Sequence, residues 1–399
     1  MTDHDPFEGL VDHEEDVQPA IEDLKDGVVL GVDTEFLWER TYHPALALLQ
    51  VSAQTADGER FAFAFDPLAV DVAPVVEFLA ASERIKIFHA GRIDLEILNA
   101  RAGRELQPVF DTQRAAALCG LGGQIGYGNM VEAVLGRKIA KTEQYADWTK
   151  RPLRGAQVDY ALADVLPLLE VYEKLVKQLK ESGRYEWAQE EMLELIQPES
   201  YVTLPHYERY TKVKGTRGID RRGLGVLREL ASWREQEAER RDLRPTFVVK
   251  DLILLDITRR RPKDQDALRN IRGLHGGEIK RNGKAILDAI KRGLDCPESD
   301  LPSKKKRGGH QRKVGGSLDL LKAFLGQRCD ELGIASETIA TSKDLERLAK
   351  DEHREKYAKD HRILQGWRGE LVGDDLCKIL RGEVQLSVDP ADQSRIKLT

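Results

Sequence analysis

An α/β domain followed by two small all-helical domains is the architecture that this 399-residue chain predicts. Three observations carry that prediction. Short apolar runs alternate with helical patterns over the first half, the mark of sheet and helix layers. Amphipathic helical periodicity takes over after residue 211. Charge also changes sign there: residues 1–211 hold 20 Lys+Arg against 37 Asp+Glu, net −17; residues 212–313 hold 28 against 15, net +13; residues 314–399 hold 14 against 16, net −2; together they give −6.

The strands come first. Val28 to Asp33, Ala47 to Ala53, Phe61 to Asp66 and Ile85 to Phe88 are short β runs, the first rich in valine and bounded by Gly27. The spacing of the first three suits antiparallel hairpins, whereas Ile85 to Phe88 follows the helix-like Ala73 to Ala81 and suits a parallel return. Asp159 to Leu169 has a strong helical pattern. Arg222 to Arg241, Pro245 to Arg260, Pro262 to Ile271 and Glu278 to Ile290 then read as helices of a small basic domain, with Val248, Leu252, Leu255 and Ile257 as the apolar members of the second. Pro297 to Gly316, with Lys304-Lys305-Lys306-Arg307-Gly308-Gly309-His310, has the composition of a linker. Leu318 to Leu332, Lys343 to Ala358, Ile363 to Trp367 and Asp374 to Leu380 complete a second helical unit. The predicted division is 1–211, 212–296, a basic linker over 297–316, and 317–399.

The chemistry begins at Asp33-Thr34-Glu35-Phe36, at the end of the strand Val28-Val29-Leu30-Gly31-Val32. Two carboxylates one residue apart project from the same side of a strand. Crowded acids repel unless a cation lies between them, and magnesium-like ions take oxygen ligands from one or two carboxylates while leaving positions for water and phosphate. Phosphodiester cleavage is the chemistry this suggests. Asp94 follows a strand and a turn, in the first turn of a helix, where a carboxylate can also simply cap free amides. Tyr160 and Asp164 stand four apart on one helix face. Asp164 lies in an otherwise apolar stretch, where an unpaired carboxylate is costly, so it needs a partner.

Asp33-Thr34-Glu35, the segment around Asp94, and Tyr160 with Asp164 resemble, in order and separation, the three motifs of the DEDDy 3′-to-5′ exonucleases. The segment Tyr145-Ala146-Asp147-Trp148-Thr149-Lys150-Arg151-Pro152-Leu153, with Gln157 and Tyr160 after it, is similar to the ribonuclease D family. Pro245-Thr246-Phe247-Val248-Val249-Lys250-Asp251, with Leu268, Ile271, Gly273, Gly283, Ile286, Leu287 and Ile290, resembles the HRDC domain shared by that family and RecQ-type helicases; Gly366-Trp367-Arg368-Gly369-Glu370-Leu371-Val372-Gly373 is similar to the end of a second such domain.

The resemblance implies a ribonuclease-H-like mixed sheet flanked by helices, then two all-α HRDC-type domains. It implies that Asp33, Glu35, Asp94 and Asp164 hold two divalent cations, magnesium or manganese, one activating the attacking water and one stabilising the leaving 3′-oxygen. Tyr160 would orient the water, because an ordinary phenol, with a pKa of about 10, is a poor base at neutral pH. Nucleoside 5′-monophosphates would leave one at a time. The implied substrate is RNA with a single-stranded 3′ tail, tRNA precursors among them, captured by the basic module through its phosphates. A DNA 3′-to-5′ exonuclease would use the same carboxylates, and a non-catalytic RNA-binding scaffold would use only the basic module.

Other residues have plainer roles. His89 and Asp111 read as structural, and Trp148 and Arg151 fit either RNA stacking and phosphate pairing or the filling of a gap beside a proline turn. The glycine cluster from Gly120 to Gly128 lacks both the Gly-Lys-Ser/Thr ending and G-x-G-x-x-G spacing, so it reads as a turn between helices. Cys119, Cys296, Cys329 and Cys377 form no Cys-x-x-Cys pair, which argues against zinc knuckles and disulfide scaffolds. An acidic N-terminus and the lack of any 18-residue apolar run predict a cytoplasmic protein without membrane partners.

Overall fold

The computed structural model describes residues 9–38, 40–139, 142–197, 204–303, 314–351 and 361–399. Two compact units result, one from Met1–Glu35, Leu46–Tyr201 and Arg312–Thr399, the other from Phe36–Ala45 and Val202–Gln311.

The first unit is built on a six-stranded sheet. β1 (Leu10–Val11), β2 (Gly27–Leu37), β3 (Ala45–Thr55), β4 (Arg60–Phe65), β5 (Ile85–Phe88) and β6 (Val109–Asp111) lie in the order β1-β4-β3-β2-β5-β6. β3 and β4 pair antiparallel, with Val51 opposite Phe63, while β5 runs parallel to β2 and to β6. The sheet is therefore mixed, as the spacing of the runs predicts. β1 and β6 are too short to announce themselves by periodicity. β3 is buried from Leu46 through Gln54, so both of its faces are covered, and its near-continuous apolar run is what a central strand needs.

Helices α1 (Glu14–Lys25), α2 (Ala73–Ala81), α3 (Arg92–Ala102), α4 (Thr112–Leu118), α5 (Tyr127–Leu135), α6 (Gly155–Glu181) and α7 (Tyr185–Ile196) belong to this unit. α6 is the long one. At its start the Gln157 side-chain oxygen accepts from the Arg154 amide at 3.2 Å and from Arg154 Nε at 3.3 Å, and Val158, Ala161, Leu162, Val165, Leu168 and Leu169 form its buried stripe. Gly31 is where β2 meets α6: a Cβ there would lie 2.3 Å from Ser52 Oγ and 2.8 Å from the Val165 carbonyl oxygen, so only glycine permits the approach.

The second unit is helical. α8 (Arg221–Arg240), α9 (Pro245–Val248), α10 (Asp251–Arg260), α11 (Gln265–Arg269) and α12 (Gly276–Asp295) enclose a core that includes Leu227, Leu230, Leu254, Ile257, Leu268 and Ile286. The single helix read over Pro245 to Arg260 is two helices, because Val249 adopts an extended conformation at φ −149° and breaks the run. Phe36–Ala45 packs with this unit: Tyr42 covers its core, and the Tyr42 amide donates to Asp242 at 3.0 Å.

Returning to the first unit, α13 (Gly315–Leu332), α14 (Ser336–Ile339) and α15 (Ser342–Lys350) precede a π-helical turn at Gly369–Gly373 that runs into the helix Asp374–Arg381. A hairpin, β7 (Leu386–Asp389) with β8 (Asp392–Leu398), follows; its alternation is confined to a few residues around Pro390 and is not part of the sequence prediction. Lys304 to Lys313, half of the basic linker, and the end of the helix read over Lys343 to Ala358 lie outside the described residues. Among the described residues no helix is long and apolar enough to cross a membrane.

Candidate metal centre

Strand alternation sets the centre. Asp33 and Glu35 leave the same face of β2, and α6 presents Asp164 to them; single carboxylate oxygens of the three residues lie within 4.8 Å of one another. Tyr160 stands one turn before Asp164 on the same face of α6, and its hydroxyl acts to lower that carboxyl's pKa. Thr34 points to the opposite face of β2, where its hydroxyl donates to Asp94 Oδ1. Asp94 sits in the first turn of α3, but Gly91 is the N-cap. The Asp94 carboxylate accepts from its own first-turn amide and also bonds across to the strand. Asp94 stands beside the converging three rather than among them, and its charge still acts on Asp33 and Glu35.

Electrostatics at the centre are frustrated. Burial, and then the neighbouring carboxylates, push Asp33 well above the usual range, and push Glu35 up to about 8. Burial raises Asp164 to about 7 against the Tyr160 hydrogen bond, and Asp94 to about 6 against that of Thr34. Burial is the largest influence on all four, ahead of any neighbouring charge. All four carboxyls cannot ionise together at low cost without a cation. An all-oxygen donor set of this charge matches a hard divalent ion.

A cavity of about 220 Å³ opens beside them, lined by Asp33, Tyr160 and Asp164 and, from the other wall, by His89, Tyr127 and Gln144. His89 is tied down at both ring nitrogens, to Thr112 at 3.0 Å and to the Ile125 carbonyl at 3.1 Å, and burial lowers its pKa. Asp111 caps α4 and accepts from the Gly91 amide at 2.9 Å. Trp148 is buried against Tyr160, with ring centroids 6.2 Å apart. Arg151 is spent on Asp66 and on the carbonyls of Ala47, Trp148 and Lys150. Of the two readings open to Trp148 and Arg151, the structural one holds.

Tyr127 is the residue that sequence reasoning misses. Pro167 has no N–H to give the Ala163 carbonyl four residues earlier, and the Tyr127 hydroxyl, from α5, donates to that oxygen at 3.1 Å. Ser52 donates to the neighbouring Val165 carbonyl at 2.9 Å. The stretch of α6 that carries Asp164 is thus held from outside the helix. Proline inside a helix, a few residues past a lone acid, is the only trace of this in the sequence. Tyr127→Phe is expected to destabilise the protein by about 1 kcal/mol. In a Pro167→Ala background, where a backbone N–H returns to Ala163, the same change should cost much less. Thermal unfolding of the four variants measures the coupling, and an equal cost in both backgrounds would refute the link.

The model of a 3′-5′ exonuclease family matches residues 9–180, and that of the HRDC domain matches residues 223–290. A ribonuclease D of Granulibacter bethesdensis is 37% identical over 96% of this chain and 95% of its own length. One of Gluconacetobacter diazotrophicus is 36% identical over 97% of this chain and 96% of its own. Among solved structures, Escherichia coli RNase D, described as an exoribonuclease involved in structured RNA processing, superposes with a TM-score of 0.80 at 29% identity, covering 94% of this chain and 98% of that one.

Proposed function

Because the chain belongs to the ribonuclease D family and is a 3′-to-5′ exoribonuclease, we propose that Asp33, Glu35, Asp94 and Asp164 hold two divalent cations, magnesium or manganese, beside Tyr160. The observation that carries this reading is the convergence of three carboxylates within 4.8 Å, with none of them ion-paired to a lysine or arginine among the described residues. Ions bound there would supply an activated water and charge stabilisation at the leaving 3′-oxygen. The protein's own part is positioning. The Thr34 hydroxyl holds Asp94 Oδ1, and because a carboxylate offers about four lone-pair sites the group can still take a ligand. Burial and the Asp164 charge raise the Tyr160 phenol beyond its usual range, so it stays protonated at neutral pH. Its proton goes to Asp164 and its oxygen is left to accept from a water, which orients the nucleophile without deprotonating it. Hydrolysis then releases nucleoside 5′-monophosphates.

Domain roles follow the division 1–211 for hydrolysis, 212–296 and the basic linker 297–316 for capture of the RNA backbone, and 317–399 as a second HRDC-like unit. The matched segments 9–180 and 223–290 and the net +13 of residues 212–313 support it. The substrates proposed are tRNA precursors and other structured RNAs with a single-stranded 3′ tail, in keeping with the description of the E. coli relative. A cytoplasmic site of action fits four free cysteines.

The carboxyl shifts give a test with a definite sign. A carboxyl raised on folding stabilises the protein below its unfolded pKa, near 4, and that contribution is lost as pH rises through about 6, 7 and 8. The metal-free protein should therefore lose thermal stability from pH 5 to pH 8.5. Manganese should restore it increasingly over the same interval, by about 2.7 kcal/mol when the free ion is at 100 times Kd. Stabilisation by manganese that is absent, or equal at both ends of the range, would contradict the assignment.

A further inference from the structure

The second unit contains a cavity of about 210 Å³ lined by Arg209, Lys212, Arg234 and Arg244 with only two acids, Glu235 and Asp251. Liquid water takes about 30 Å³ per molecule, so a group much larger than water fits. Both acids are already engaged: Glu235 lies 3.8 Å from Arg209 and accepts from the Tyr42 hydroxyl at 3.3 Å, and Asp251 accepts from Arg234 at 2.7 Å. Lys212 and Arg244 have no carboxylate partner among the described residues. The cavity is left with a surplus of two positive charges.

Arg234 gives it a fixed donor. It is only 5% exposed, and its Nη1 is anchored on the Val249 carbonyl at 3.0 Å as well as on Asp251. Its Nε, like that of Arg209, is buried with no hydrogen-bond acceptor, although Arg209 Nε faces Glu235 at 3.8 Å and Arg234 Nη2 lies 4.0 Å from the same carboxylate. Unsatisfied buried donors at a positively charged cavity call for an anion, and guanidinium groups suit the oxygens of phosphate. Aromatic surface lies alongside. The Arg244 guanidinium sits over the Trp38 ring, 6.0 Å from its centroid; Trp38 is 52% exposed, and Phe247, next to the lining residue Thr246, is 57% exposed. Cations that track a backbone beside open aromatic faces are the means by which proteins hold single-stranded nucleic acid.

We propose that this cavity binds a backbone phosphate of single-stranded RNA, with Arg209 and Arg234 donating to the phosphate, Lys212 and Arg244 supplying charge, and Trp38 and Phe247 receiving bases. It is a second RNA contact, separate from the residues of the metal centre, and it rests on the proposal that the basic segment captures RNA.

The test measures the affinity of the full-length protein for a fluorescent 12-nucleotide single-stranded RNA, in calcium, from 0.05 to 0.3 M NaCl. Four proteins are compared: wild type, Lys212→Ala/Arg244→Ala, Trp38→Leu, and Lys280→Ala/Lys284→Ala on the exposed face of α12. Lys212 and Arg244 are exposed, so the first pair should leave the unfolding temperature unchanged. Losing the charge that neutralises one phosphate should reduce the slope of log K against log salt by about 0.7 and weaken binding about fivefold at 0.1 M. Trp38→Leu should weaken binding roughly tenfold with the slope intact, because stacking releases no counterions. The α12 pair should change affinity and slope far less. A steep wild-type slope that Lys212→Ala/Arg244→Ala leaves alone would overturn the cavity and spare the basic segment; so would equal effects of the two lysine- and arginine-neutralised pairs, which mean diffuse charge. A flat wild-type slope would overturn both.

Discussion

Asp33→Asn is expected to cut RNA hydrolysis by about 10³-fold or more, some 4 kcal/mol of transition-state stabilisation, while RNA affinity in calcium stays within about twofold, since the loss falls on the chemical step. The change removes one carboxylate from the group that converges with Glu35 and Asp164. It also has a second consequence of opposite sign. Asp33 is pushed well above the usual range by burial and by the charges of Asp94, Asp164 and Glu35, so a neutral amide there relieves repulsion. At pH 8 without metal, Asp33→Asn should melt higher than wild type, and manganese should stabilise it less. Loss of activity together with a gain in metal-free stability separates a ligand from a structural residue, whose replacement would lower both. Wild-type turnover by this variant, or a lower melting temperature in EDTA, would count against the assignment.

Glu191→Ala should have the largest effect on stability, about 3–5 kcal/mol, because it strands the buried Arg368 guanidinium. Glu191, on α7, is 4% exposed and gathers four donors: Arg368 and the Trp367 indole N–H at 3.1 Å on Oε1, Arg362 at 3.0 Å and Arg114 at 3.6 Å on Oε2. Burial pushes its carboxyl up, but the hydrogen bond and charge of Arg368, then Arg362 and Arg114, hold it below the ordinary range. Trp367 stacks on Trp187 with centroids 4.9 Å apart and planes 12° from parallel, and the Arg368 guanidinium lies 4.3 Å from the Trp367 ring centroid. These contacts fasten the segment around Trp367 to α7 within one compact unit. Glu191→Ala should therefore lower the unfolding temperature and speed proteolysis within residues 314–399. The same variant with unchanged protease resistance would show that the charge network is incidental to docking.

The sequence makes the carboxylates legible for a physical reason. Asp33 and Glu35 obey strand alternation, Tyr160 and Asp164 obey helical spacing, and both rules are local. What depends on the third dimension is hidden. Thr34 looks like a spacer until the fold brings α3 beside β2, when its hydroxyl meets Asp94. Tyr127 sits in a glycine-rich stretch that reads as a turn, and only packing of α5 on α6 brings it to the carbonyl released by Pro167. Glu191 looks like one more acid on an amphipathic helix, because three of its four partners, Arg362, Trp367 and Arg368, are more than 170 residues away. Phe36–Ala45 shows the same limit at the level of domains: sequence proximity to Asp33 assigns it to the first unit, whereas Tyr42 commits it to the second.

The most direct measurement is hydrolysis of a 5′-labelled tRNA precursor with a single-stranded 3′ trailer by wild type and Asp33→Asn, each with manganese and with EDTA. The account predicts a ladder that shortens from the 3′ end only for wild type with manganese. Equal ladders in EDTA, or from Asp33→Asn, would contradict a metal centre built on Asp33, Glu35, Asp94 and Asp164.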